Sequence, residues 1–512
     1  MKVSKYKLLP LLLLVGGLTA CGGNAKYTAN LEIGGKGADE GYVYVPATNT
    51  GTKTQDYSNA PASYPESYME AAPADGRIIE NPFVEPSAEK CTSNISLTSS
   101  SFAYTTIREE INRGYPYNLK NLVKTEEMLN YFSYGYVNDT DDALTAHLEL
   151  GECPWNNEHY LASVVVKAKP AITENVKNNI VILVDKSGSM RSIFDLVKTS
   201  LRTLIANLGD DDTVSIVSYA SGCQVETEGK TGKDKNDLNE VVDSLVASGS
   251  TYGEAGIEKA YETAYKYMIP DGNNRVVILT DGDFNVGKVR GDELTELIKQ
   301  KASDGVYLTC VGYRSYNNDT LYTLSNNGNG NAYYVDCELE AKKVFEEELG
   351  KSMYVVAKDA KCQIEFSDAV SSYRLLGYET RQMSDAEFND SKKDAGEIMS
   401  DHTTIALYEL ALKEEHNSDF IYKTTLHYKD PINEENKEVV NVKTDISVSR
   451  DVDFDFASNV AEFALILSDS QYKGISSIEH LLESIKNESI NDKYRDDFVA
   501  LVRKIQNLLS KQ

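Results

Sequence analysis

Three oxygen-bearing side chains alternate along one short stretch, Asp185-Lys186-Ser187-Gly188-Ser189. If the chain turns there, Asp185, Ser187 and Ser189 can converge on one point. One carboxylate and two hydroxyls suit a hard cation such as Mg²⁺, which prefers oxygen, demands octahedral geometry and keeps waters or a partner's oxygen in its shell. An ordinary helix-capping turn uses the same residue types. Two later stretches bear on that choice. Gly249-Ser250-Thr251-Tyr252-Gly253 brings another hydroxyl, Thr251, ahead of a helical segment. Arg275 to Gly282 reads as a buried strand that ends in Asp281.

The elements around the turn are legible from periodicity. The aliphatic run from Ile180 to Val184 predicts a strand buried on both faces, as in the middle of a parallel sheet. It stops at Asp185. Ile193, Leu196, Val197, Leu201, Leu204, Ile205 and Leu208 then follow a helical spacing. The turn therefore lies at the carboxyl end of a central strand, where open α/β sheets place their ligands. Strand and helix patterns alternate onward through Val214 to Tyr219, Leu238 to Leu245, Glu254 to Met268, Arg275 to Thr280, Glu293 to Ser303, Val306 to Gly312, Leu321 to Ser325, Ala332 to Val335 and a last helix from Glu338 to Val356. Such alternation predicts a mostly parallel sheet with helices on both faces.

The order Asp-x-Ser-x-Ser, a Thr after a Gly-Ser turn, and Asp-Gly at a strand end resembles the von Willebrand factor A domain and its metal-ion-dependent adhesion site. The resemblance implies a Rossmann-like, doubly wound α/β domain over 178–358. It implies a metal held by Asp185, Ser187 and Ser189 from the first loop, Thr251 from the second and Asp281 from the third. The two Ser and the Thr would touch the ion directly, and one or both Asp would act through water. Mg²⁺ is the implied ion, with Mn²⁺ and Ca²⁺ as alternatives. An open coordination position would accept an Asp or Glu carboxylate from a protein partner. Asp283 reads as a solvated loop charge, and Asp210-Asp211-Asp212 as a polar turn rather than a calcium cluster.

At 512 residues the chain has room for two to four domains. A net charge of −27, without a basic cluster, argues against nucleic acid as a partner. Lys2, Lys5 and Lys7 precede an apolar run from Leu8 to Leu18, too short to span a bilayer. Leu18-Thr19-Ala20-Cys21 resembles a bacterial lipobox, which implies a signal peptide over 1–21 and lipidation of Cys21. Cleavage there removes three lysines and no acid, so lipid rather than charge would hold the chain at a membrane. Gly22 stands where Asp favours inner-membrane retention in Gram-negative lipoproteins, which points to the outer membrane for such a source. The expected location is the cell envelope, outside the cytoplasm. The six later cysteines have no CxxC spacing, which disfavours zinc; export would allow them to pair, and Cys310 reads as a small buried hydrophobe.

Residues 22–82 are rich in small and polar types and read as a tether of roughly 60 residues, spanning about 40 Å. Residues 83–170 form a helical and β region. Two helices are expected, Tyr104 to Gly114 and Leu119 to Phe132, then half-buried strands at Leu144 to Leu150 and Tyr160 to Ala168, with Trp155 as a core plug. Glu126 to Tyr136 and Cys153 to His159 resemble the amino-terminal region of a bacterial lipoprotein family that carries a von Willebrand factor A domain. That family shows Asp-x-Asp just before the first helix, where this chain has Thr98-Ser99-Ser100. Residues 359–450 read as an antiparallel β domain. The strands at 144–168 lack partners of their own, so they are expected to pair with it, which makes the α/β domain an insertion. Residues 451–512 return to helical spacing and match the same family's carboxyl-terminal region.

The expected function is binding rather than catalysis. Metal-assisted hydrolysis is the alternative, but none of the six histidines falls within 178–358 and no lysine is placed as a general base. A structural or assembly role in the envelope is the second alternative.

Overall fold

The structure is a computed structural model and describes residues 79–87, 90–114, 116–171, 176–250, 253–270, 272–282, 291–313, 318–349, 354–415, 417–431, 433–445, 451–487 and 492–510. All lie within the compact unit Pro65–Gln512. The signal segment, Cys21, the tether up to residue 78, Thr251 and Asp283 lie outside the described residues.

In chain order the first elements are β1 (Thr92–Ser96), α1 (Phe102–Arg113), a 3-10 turn (Pro116–Asn121), α2 (Thr125–Leu129), β2 (Leu144–Glu152) and β3 (Tyr160–Ala168). An α/β domain follows: β4 (Asn178–Asp185), α3 (Phe194–Asn207), β5 (Thr213–Tyr219), β6 (Cys223–Thr231), α4 (Lys235–Ser244), α5 (Gly253–Lys266), β7 (Asn273–Thr280), α6 (Gly291–Ser303), β8 (Val306–Gly312), α7 (Asn318–Asn327), β9 (Ala332–Tyr334) and α8 (Glu338–Lys342). Its sheet runs β6-β5-β4-β7-β8-β9, parallel except for β6. Alternate side chains of β4 feed two cores. Ile180, Ile182 and Val184 join one with Leu201 and Val242, while Val181 and Leu183 join the other with Ile257 and Ile298. Burial on both faces is why the strand is continuously aliphatic. The polar edge strand β6 carries no such signal in the sequence, because its side chains are mostly half-exposed.

The chain then returns to the β domain through β10 (Val355–Phe366), β11 (Val370–Leu376), β12 (Gln382–Met383), α9 (Asp385–Asn389), β13 (Gly396–Met399), β14 (Thr403–Leu412), β15 (Tyr422–Lys429) and β16 (Asn436–Lys443). One sheet runs β12-β1-β10-β15-β16, with β13 also on β10; the other runs β11-β14-β3-β2. β3 pairs antiparallel with β14 over Thr403↔Lys167 to Leu410↔Tyr160. The α/β domain is thus inserted between strands of one β-sandwich. The helices α10 (Val452–Leu467), α11 (Ile478–Ser484) and α12 (Lys493–Leu509) close the chain.

Three expectations are corrected. The β3 strand is buried on both faces, not half-buried. Ala162, Val164 and Val166 enter the sandwich core, whereas Leu161 and Val165 meet the helical layer formed with Phe454, Phe463 and Phe498. The expected helix from Leu119 to Phe132 is only the 3-10 turn and the short α2. Its carboxylates and amide are committed to other segments: Ala103 N–H donates to Glu127 at 3.0 Å, Tyr378 N–H to Glu126 at 3.0 Å, and Ile405 N–H to Asn130 at 3.2 Å. These buried backbone groups need partners, and local helix propensity yields to them. The expected helix from Glu338 to Val356 is α8 with a wide turn to Glu348. β10 begins at Val355, which pairs with Met399 of β13. The six described cysteines are free thiols, and Cys310 is fully buried.

Candidate functional site

The rim of the α/β sheet is set by three strand ends. β4 ends in Asp185, β5 in Tyr219 and β7 in Thr280, and Asp185 and Tyr219 are register partners. Asp185 is fully buried, and neutral donors hold it. Ser187 N–H donates to Oδ1 at 2.8 Å, Tyr219 O–H to Oδ2 at 3.0 Å, and Thr280 O–H to Oδ2 at 3.3 Å. Burial pushes the Asp185 carboxyl above its ordinary value, the Ser187 and Tyr219 bonds oppose that, and repulsion from Asp281 adds to it. Buried carboxylates that repel one another are costly unless a cation sits near them.

The Ser187 and Ser189 hydroxyl oxygens stand 3.0 Å apart. Ser187 is buried and Ser189 exposed, so the pair faces outward from the buried acid. The second loop is tied to this turn just before Thr251. Gly188 N–H donates to Gly249 O at 2.9 Å, and Ser248 N–H to Lys186 O at 2.7 Å. The two backbones are close: a Cβ at Gly188 would sit 3.3 Å from Gly249 O, and Gly249 has φ +92, a glycine conformation. Asp281 follows β7 directly and is buried. The structure therefore gathers Asp185, Ser187, Ser189 and Asp281 at one end of the sheet. Thr251 lies outside the described residues, although its loop is anchored there through Ser248 and Gly249.

Two groups at this rim escaped the sequence reading. The hydroxyls of Tyr219 and Thr280 brace Asp185, and only strand register could have found them, because Tyr219 lies 34 residues away in sequence. Lys186, inside the turn, is paired with Glu226 of β6 at 2.7 Å; Glu226 also accepts from Ser218 O–H at 2.6 Å. The ammonium is thereby engaged by a carboxylate.

Among the described residues, no cluster of three His, Cys, Asp or Glu side chains could hold a metal ion. A metal at this rim would have to use hydroxyl ligands beside the two acids. That donor set suits a hard cation.

Comparison with known proteins agrees with this architecture. Residues 179–347 match the von Willebrand factor type A domain family, and residues 75–163 match a family described as von Willebrand factor. Residues 179–347 thus form a von Willebrand factor type A domain. Residues 351–508 match the carboxyl-terminal family of the uncharacterized protein YfbK. The chain is homologous to YfbK of Escherichia coli K12, 35% identical over 347 residues that make up 65% of this chain and 60% of YfbK. It is also 26% identical over 240 residues to the mouse voltage-dependent calcium channel subunit alpha-2/delta-2, over 44% of this chain and 20% of that subunit. It thus spans less than two thirds of the length of either relative. A solved von Willebrand factor type A structure from Catenulispora acidiphila aligns over 72% of this chain and 92% of its own, at 15% identity and a TM-score of 0.38. Among the described residues no helix is long and apolar enough to cross a membrane.

Proposed function

We propose that this protein is an envelope lipoprotein that captures a protein partner through a divalent metal at the rim of its type A domain. Ser187, Ser189 and Thr251 would be the direct ligands, with Asp185 and Asp281 behind them through water. The observation that carries the reading is the hydroxyl pair beside mutually repelling buried acids. The Ser187–Ser189 oxygen separation of 3.0 Å matches the edge of an octahedron with ligands at about 2.1 Å, the geometry Mg²⁺ requires. The same separation is that of an O–H···O hydrogen bond, so Mg²⁺ is proposed on the donor set, with Mn²⁺ and Ca²⁺ as alternatives.

Such an ion supplies an electrophilic position for an external carboxylate. Because the direct ligands are neutral, positive charge survives at the position the partner meets. The protein's part is to hold the hydroxyls at octahedral spacing and to place the acids where they balance charge without taking the open position. Cys21 would anchor the chain to the membrane, outside the cytoplasm. Calorimetric titration of the protein with Mg²⁺, with and without Asp185→Ala, tests the metal. Capture of an envelope partner in Mg²⁺ against excess chelator tests the bridge. Equal capture in both conditions refutes it.

A further inference from the structure

Tyr219 grips the Asp185 turn at two points. Its hydroxyl donates to Asp185 Oδ2 at 3.0 Å, and its carbonyl accepts Lys186 N–H at 2.9 Å. The ring is completely buried. It packs on Gly256 of α5, where an added Cβ would stand 3.0–3.1 Å from Tyr219 Cβ, Cγ and Cδ1. Real Cβ atoms rarely approach that closely, so a side chain at position 256 would press the ring off its seat. Core packing at this strand end asks only for an aromatic ring, which Phe would supply. The hydroxyl is an addition, buried at a cost unless it bonds, and it bonds to the acid at the centre of the proposed site. Thr280 donates to the same oxygen, and Ser187 N–H holds the other. Both carboxylate oxygens are thus engaged, which fixes the plane of Asp185 beneath the Ser187–Ser189 pair.

We propose that Tyr219 is a positioning residue for metal binding, and that Gly256 is the space that admits it. The inference rests on the reading of the rim as a Mg²⁺ site. Hydrogen-bond partners of metal-site residues typically change metal affinity by about 10- to 100-fold when removed. The test is calorimetric titration of the purified full chain with Mg²⁺, together with thermal melting in chelator. Tyr219→Phe is expected to raise the Mg²⁺ Kd about tenfold or more, with the chelator melting temperature unchanged. Gly256→Ala is expected to move the Kd in the same direction by displacing the ring. Tyr261→Phe is the control: among the described residues that buried hydroxyl on α5 has no hydrogen-bond partner, so its removal should leave the Kd alone. If wild type binds Mg²⁺ and Tyr219→Phe binds it equally well, the positioning role is overturned and the metal site stands. If both Tyr→Phe variants lose affinity and melting temperature in parallel, the effect is general core damage and the role is again overturned. If wild type takes up no Mg²⁺, the metal site itself falls, and the role of Tyr219 with it.

Discussion

Asp336 and Glu340, after β9, and Asp185, at the end of β4, are all buried acids of the same domain, but their surroundings differ in kind. Arg108 of α1 meets the first group. It donates to Asp336 at 2.5 and 2.8 Å, to Glu340 at 2.7 Å, and to Asp497 of α12 at 3.1 Å. The guanidinium is 1% exposed, and Tyr131 O–H completes the cluster by donating to Glu340 at 2.8 Å. Among the described residues Asp185 meets neutral donors, and the nearby Lys186 is turned to Glu226. Among the described residues, a buried guanidinium meets the acids at the joint between the insertion and its frame, whereas at the rim Lys186 faces Glu226 and not Asp185. Burial that is matched internally makes a weld, whereas burial left unmatched makes a place where an outside cation gains more than it would in water.

The largest expected effect breaks the weld. Arg108→Met leaves two buried acids facing each other and should destabilise the protein by about 3–5 kcal/mol, measured by denaturant unfolding. A loss below about 1 kcal/mol would mean that the joint does not depend on this cation. The matching change at the rim should act in the opposite sense. Asp185→Asn removes a carboxylate whose ionised form burial disfavours. In chelator its stability should equal or exceed wild type, while the stabilisation by Mg²⁺ disappears. For wild type that stabilisation should reach about 2.7 kcal/mol at a Mg²⁺ concentration one hundred times the Kd. A variant that is weaker than wild type in chelator would place Asp185 with the welded acids.

The difference between the two regions also sets what the sequence can reveal. The Asp185 turn is a local pattern at the end of an aliphatic run, so its residue types can be read in place. The α/β alternation is legible for the same reason, since each strand and helix carries its own period. The insertion is legible from a deficit: β2 and β3 have the pattern of strands but too few partners near them. What cannot be read locally is whatever depends on contact between distant segments. Arg108 looks like an ordinary charge on an amphipathic helix, because its carboxylate partners lie 228 to 389 residues away. Glu126 and Glu127 look like solvated helix residues, yet they accept backbone N–H groups of Tyr378 and Ala103. Tyr219 looks like one more strand aromatic until the β4–β5 register sets it beside Asp185.

Glu379 sharpens the comparison, because a half-buried acid repelled by another carboxylate also occurs in the β domain. Burial first, and repulsion from Glu126 second, push its carboxyl up to about 8. A carboxyl whose folded value lies above its unfolded value favours folding at low pH and loses that contribution as pH rises between the two values. Stability from this group should therefore fall from about pH 4.5 to about pH 8. Glu379→Gln should flatten that slope in melting curves taken across the range. His402 works in the other direction. Its ring nitrogen Nε2 is buried, and its value is lowered to about 3 by burial, then by Lys167 and Lys343. Its contribution is complete above about pH 6.5 and is lost as pH falls toward 3. Mg²⁺ should alter neither slope. If Mg²⁺ cancelled the Glu379 slope, a repelled acid alone would suffice to bind the ion, and the hydroxyl pair would no longer distinguish the rim.

The smallest effect expected concerns Lys186, which lies within the Asp185 turn yet is paired away from Asp185. Its pair with Glu226 is partly buried, at 23% and 12% side-chain exposure. Glu226→Gln would release a positive charge beside the place where a divalent ion should sit. The cost should be a few-fold in Mg²⁺ affinity, about 0.5–1 kcal/mol. Because this penalty is Coulombic and partly exposed to solvent, it should shrink as salt is raised from about 0.01 M to 1 M, over which the screening length falls from about 30 to 3 Å. Lys186→Met together with Glu226→Gln should recover most of the affinity, since neither charge is then left alone. An equal loss in the double variant, insensitive to salt, would instead mean that the pair acts by holding the shape of the turn. In that case the β6 strand would support the site as Tyr219 does, through geometry rather than charge.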